Sequence, residues 1–140
     1  MKTSLGNTVE IIHYLKKIVG KFMKDEGIYT FAKPTLAIIL SEQQISVSEV
    51  WSDVLDLSLL GPKVFFIQNE QDVPVYVGFY VRPSPNSIIE APIREDILVD
   101  SGEIKIALLR DRFPACRLKF YAKSSPSEGY VNCVLASWSM

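Results

Sequence analysis

The chain has 140 residues, 48% of them apolar and 22% charged, with fifteen basic side chains against sixteen acidic ones for a net charge of −1. That length suits one hydrophobic core, and the near-zero charge excludes a whole-molecule field that would draw the protein to nucleic acid or an anionic membrane. No low-complexity tract or block of like charge argues for a disordered tail, so residues 1–140 are expected to form a single domain.

The first seven residues carry one lysine and no apolar stretch, which does not read as a secretory signal. No apolar run approaches the roughly 20 residues that span a bilayer. The expectation is a cytoplasmic protein with no membrane partner.

Asn7 is placed to cap a helix whose third position is Glu10, and Ile11, Ile12, Leu15, Ile18, Val19, Phe22 and Met23 recur at three- and four-residue steps. The spacing predicts a helix over 8–26, with His13, Lys17, Lys21 and Lys24 on its polar side and Gly27 at its end. Residues 35–40, Thr-Leu-Ala-Ile-Ile-Leu, are continuous and apolar, which suits a strand buried on both faces. A second helix is signalled by Ser41 or Ser46 as cap, by Val47, Val50, Trp51 and Val54 on one face, and by Gly61-Pro62 as a stop.

From Lys63 the apolar period changes to two. Residues 64–67 and 75–81, separated by the polar Asn69-Glu70-Gln71-Asp72, read as a hairpin, with Pro74 at its rim. The segment 83–87, Pro-Ser-Pro-Asn-Ser, lacks ladder donors at two positions, so the chain leaves the sheet there and presents Pro83, Pro85 and Asn86 as an exposed, adaptable loop. Glu90, Glu95, Asp96, Asp100 and Glu103 lack the ligand spacing of a calcium loop and are expected in a solvated loop. Residues 104–109, 116–123 and 130–138 complete the strands. Together these elements predict an α+β domain, two helices packed on an antiparallel or mixed sheet of about five or six strands.

Candidate functional residues are sparse. His13, the only histidine, could act as a general base, but the helical period places it among lysines on the solvent side, and no nucleophile is tied to it by spacing. Along 116–123, Arg117, Lys119, Tyr121 and Lys123 alternate with apolar residues; such a row could grip phosphates or stack a base, and equally could keep a one-sided strand soluble. The low net charge makes nucleic acid the weaker alternative. Cys116 and Cys133 lie in separate strand-like segments, and both buried free thiols and a cross-strand disulfide remain open, the former favoured by how readily Cys packs as a small hydrophobe. Isolated glycines form no phosphate cradle, and no short Cys/His spacing makes a zinc site, so no cofactor or metal is expected. Phe65, Phe66, Tyr76, Phe79 and Tyr80 occupy both faces of the expected hairpin, more than a one-sided sheet needs.

Residues 63–135 contain pieces whose order resembles the toxin-activating lysine acyltransferases. Pro74-Val75-Tyr76-Val77-Gly78-Phe79 looks like that family's proline-led strand, Glu95-Asp96 with Ser101-Gly102-Glu103 like its Glu-Asp-Trp-x-Ser-Gly-Asp stretch, and Phe113-Pro114 with Gly129-Tyr130-Val131 like its final hairpin. The resemblance implies an acetyltransferase-like fold and acyl transfer from acyl carrier protein to a protein lysine. The family's catalytic histidine and aspartate would have their nearest counterparts in His13 and Asp111, which sit in no matching motif; Ile97 stands where the tryptophan belongs. Without a convergent catalytic set, the residues themselves favour a non-enzymatic accessory or protein-binding domain. It would engage another protein or a second copy through an apolar sheet surface and the 83–87 loop, with Tyr76, Phe79, Tyr80, Pro83, Pro85, Asn86, Arg117, Lys119 and Tyr121 as binding residues.

Overall fold

The structure, a computed structural model, describes residues 35–57, 60–109 and 113–139. The helix expected over 8–26 lies outside them. Within them the chain forms nine strands and no helix: β1 (Thr35–Gln43), β2 (Val50–Trp51), β3 (Leu55–Asp56), β4 (Leu60–Asn69), β5 (Val75–Arg82), β6 (Ala91–Val99), β7 (Ile104–Leu109), β8 (Ala115–Ala122) and β9 (Val131–Ser139).

These strands make two antiparallel sheets. Sheet A has the order β1-β9-β4-β7, and sheet B the order β2-β8-β5-β6, with β3 also paired to β8. The pairs are nested: β1 with β9, β2 and β3 with β8, β4 with β7, β5 with β6. A long antiparallel ribbon rolled so that β4 also meets β9 and β5 also meets β8 has this connectivity. It is the jelly-roll form of a β-sandwich.

The α+β expectation is therefore overturned within the described residues. The segment expected as the second helix instead runs along β8, with Ser52 N donating to Leu118 O at 2.8 Å, Leu118 N to Ser52 Oγ at 2.9 Å, and Ala122 N to Ser46 O at 2.7 Å. Val47, Val50 and Val54 are β-branched, and Ser52 and Asp53 are weak helix formers. Pairing with the free side of β8 satisfies backbone groups that the sheet would otherwise leave exposed.

The hairpin is also corrected. Both of its strands exist, but β4 belongs to sheet A and β5 to sheet B, so residues 70–74 cross between layers. Phe65 and Phe79 meet across the interior edge-to-face, with centroids 5.0 Å apart. The acidic stretch expected as loop is largely strand β6. The strand expected at 35–40 is present, although only Leu40 of those six is buried.

Alternation then sorts the side chains. Phe65, Ile67, Ala107, Leu109, Cys133 and Leu135 of sheet A face Val75, Val77, Phe79, Leu118 and Phe120 of sheet B in the core. Both cysteines are buried and free, with no disulfide between them. Val64, Phe66, Val134 and Ala136 point to the opposite side of sheet A and are nevertheless buried. The apolar surplus of residues 64–67 is thus not a free surface.

Candidate functional site: the outer face of sheet B and the β5–β6 loop

Strand β8 presents Arg117, Lys119 and Tyr121 away from the core, and its register sets them beside Tyr80, Gly78 and Tyr76 of β5. The outer row read along 116–123, together with the β5–β8 register, places five expected binding residues on one face. Tyr76 and Tyr121 stack, with centroids 5.1 Å apart at 26°. Phe79, expected among them, faces the core and is fully buried, because it falls on the other parity of β5.

Residues not singled out from the sequence complete the face. Trp51 of β2 pairs with Lys119 in register. It lies under the Arg117 guanidinium, 3.9 Å from the ring centroid, and meets Tyr80 edge-on at 5.0 Å. The Lys119 ammonium donates to the Tyr80 hydroxyl at 3.0 Å and lies 3.8 Å from Asp96 and 3.7 Å from Glu49. Its pKa is raised, chiefly by the Tyr80 hydrogen bond and then by those carboxylates. Tyr121 donates a short hydrogen bond to Asp96 Oδ2, which opposes phenolate formation and pushes the phenol up to about 12. Arg117 and Lys119 each have a carboxylate partner. A row already neutralised in this way does not favour a grip on phosphates.

Glu90 organises the adjoining loop. Arg117 of β8 donates from Nε to Oε2 at 2.7 Å and from its terminal nitrogen to Oε1 at 3.0 Å, a two-pronged contact. Arg82, the last residue of β5, donates from Nε to Oε2 at 2.9 Å and from Nη1 to the carbonyls of Ser87 at 3.0 Å and Pro85 at 3.5 Å. The Arg117 hydrogen bond, seconded by Arg82, holds the Glu90 carboxyl below the usual carboxylate range. Ser87 N closes a turn onto Ser84 O at 3.1 Å, and Ile89 N donates to Ser87 Oγ at 3.0 Å.

The loop is therefore pinned at both ends, yet its apolar tip faces water. Ile88 is 98% and Ile89 69% exposed. Pro83 and Asn86 are exposed beside them and Pro85 is half-buried. Two adjacent apolar residues directly after a proline loop were the available sequence signal. The Glu90 clamp had none, since its partners lie 8 and 27 residues away.

His13 and Asp111 lie outside the described residues. Among the described residues no cluster of three or more His, Cys, Asp or Glu side chains could hold a metal ion, and no helix is long and apolar enough to cross a membrane.

No protein-family model matches the chain, and no curated protein matches it. Among solved structures it is similar to that of Bacillus endospore appendages, a family of disulfide-linked pili, with a TM-score of 0.52 and 13% identity over 80% of this chain and 95% of the other. Weaker likenesses are to the infectious bursal disease virus Gx strain (TM-score 0.43, 10% identity, 75% of this chain and 31% of the other) and the T13 viral particle of the same virus (0.39, 9%, 77% and 32%). The first shows a shared fold; the other two carry no argument. The acetyltransferase-like α+β fold implied by the acyltransferase resemblance is corrected by the two-sheet sandwich, in which its Pro74-led strand and its final strands are parts of a jelly roll.

Proposed function

We propose that this chain is a non-enzymatic, protein-binding building block that associates with further copies of itself through the β5–β6 loop. The observation that carries this reading is the Ile88–Ile89 pair, displayed at 98% and 69% exposure on a loop that Arg82, Glu90 and Arg117 hold in place. A pinned loop loses little conformational freedom on binding, so the apolar area it buries goes further toward affinity. A flexible loop would spend that energy on ordering itself.

The fold likeness to a pilus structure is compatible with a role in assembly. Disulfide linkage between copies is not open to the folded chain, whose two cysteines are both buried; burial pushes the Cys116 thiol up to about 12 and raises that of Cys133 as well. Association would be non-covalent.

Light scattering coupled to size exclusion, run over a concentration series, tests the reading. The parent chain is expected to self-associate, and Ile88→Asp with Ile89→Asp to weaken that association about tenfold or more, since each isoleucine contributes on the order of 1.5 kcal/mol or more when buried. A parent that stays monomeric throughout, or a double variant that associates as the parent does, would overturn it.

A further inference from the structure

Sheet A ends on two strands that, among the described residues, have a partner on one side only: β1, bonded to β9, and β7, bonded to β4. Sheets commonly protect such edges with proline, charge, bulges or brevity. Sheet B does so: β6 carries Pro92 and Arg94 and pairs with β5 through two register shifts, while β2 and β3 are two residues each. In sheet A the protection is weak. Residues 35–41 of β1 contain neither proline nor charge, and the register shifts of β1 begin only after Ile38. Strand β7 has a single charge, Lys105, and pairs with β4 over six uninterrupted rungs.

The directions of the two edges matter as much as their chemistry. With four strands in strict antiparallel alternation, β1 and β7 run in opposite senses. A second copy in the same orientation can therefore set its β1 beside β7 of the first and continue the alternation without a two-fold axis. One rung shows the fit. Ile38 pairs with Val134, Val134 with Phe66, and Phe66 with Ile106, so the apolar rung ends at Ile38 on one edge and Ile106 on the other. Ile38 is 40% exposed and Ile106 partly so. Unslipped continuation sets Ile106 of one copy against Ile38 of the next.

We infer that sheet A is a head-to-tail docking surface for a second copy of this chain, β1 of one copy adding to β7 of another. The inference rests on the self-association reading and adds a contact separate from the loop. A heterologous contact of this kind does not close on itself and so propagates, each copy advancing the sheet by four strand spacings, roughly 19 Å.

The test uses the full chain carrying Ile88→Asp and Ile89→Asp, so that the edge contact is read without the loop contact. In that background a concentration-dependent series of species is expected. Adding Ile38→Lys blocks the β1 edge and adding Ile106→Lys blocks the β7 edge; each triple variant alone is expected to be monomeric. Their equimolar mixture is expected to give a one-to-one dimer and nothing larger, because one intact edge of each kind remains. Circular dichroism and melting confirm folding of each variant, with Thr35→Lys and Ile104→Lys as replacements for any that fails.

Several outcomes would overturn the inference: a triple variant that still dimerises alone, which marks a two-fold contact; a mixture that stays monomeric; or a loop-variant background already monomeric. The last leaves the loop reading intact if the parent associates. Conversely, association that is indifferent to the loop variants but abolished by edge variants sinks the loop reading and leaves this one.

Discussion

Gln71 pairs with Ile45 as a neighbouring strand would: its side-chain Oε1 accepts from Ile45 N at 2.6 Å and its Nε2 donates to Ile45 O at 3.1 Å. The amide thus closes both backbone groups of Ile45, between the end of β1 and Ser46, whose carbonyl accepts from Ala122 N of β8. Gln71 is itself held, its N donating to Asn69 Oδ1 at 2.9 Å and its carbonyl accepting from the Ser101 hydroxyl. Gln71→Leu keeps the volume and strands both groups of a fully buried Ile45. A buried unsatisfied group costs about 1 to 3 kcal/mol, so urea unfolding should show a loss of about 2 to 3 kcal/mol. An unchanged midpoint would mean that the amide is dispensable.

Phe79→Ala should remove a ring that fills the centre of the sandwich against Phe65. The expected loss is about 3 to 5 kcal/mol, read by chemical denaturation. Tyr80→Ala, one residue along on the outer face, should cost less, and the contrast checks the parity of β5.

Gly129 adopts φ +94°, and an added Cβ would stand 2.7 Å from Gln71 Cα and in hard contact with the Glu70 carbonyl oxygen. Neither is the end of a flexible side chain. Gly129→Ala should therefore destabilise by at least about 2 kcal/mol. Gly102→Ala, where φ is +78° but nothing lies within 4 Å, should cost only the backbone strain. Paired thermal melts separate the two causes.

Glu90→Gln should loosen the β5–β6 loop and cost about 1 to 2 kcal/mol near neutral pH, because hydrogen bonds to charged groups exceed neutral ones. The pH dependence has a definite sign. The folded carboxyl titrates below its unfolded value, so its contribution is complete above that unfolded value, about 4, and disappears as pH falls through the lower folded one. Melting temperatures of parent and variant should differ at neutral pH and converge in acid. Faster proteolysis of the variant within residues 83–89 is the local readout.

Asp72 follows the same sign at the other end of the domain. Its carboxylate accepts from the Ser127 hydroxyl and from the amides of Ser127 at 3.0 Å and Glu128 at 3.3 Å, and these bonds, the hydroxyl foremost, hold its pKa low. Asp72→Asn should move amide resonances of residues 127–128 at neutral pH and make no difference once pH is below the folded value.

Much of the strand content was legible in the residues. The switch to period two near Lys63 located β4, β5, β7, β8 and β9, and the parity along 116–122 separated the core row Cys116, Leu118, Phe120 and Ala122 from the outer row Arg117, Lys119 and Tyr121. Strand β6 was hidden because Arg94, Glu95 and Asp96 interrupt the alternation on an edge where charge is tolerated. The segment carrying β2 and β3 was misread because Val50, Trp51 and Val54 are also spaced as a helical face.

Composition and spacing alone determined that residues 64–135 are strand-rich, where the chain breaks at Pro83, and which side of β8 is polar. Tertiary structure decided which strands pair, that β4 and β5 lie in different sheets, and that Glu90 joins Arg82 to Arg117. The reason is physical: alternation records only which way a side chain points relative to an apolar layer. Partner choice depends on hydrogen bonds and packing between residues far apart in the chain, which no local pattern encodes.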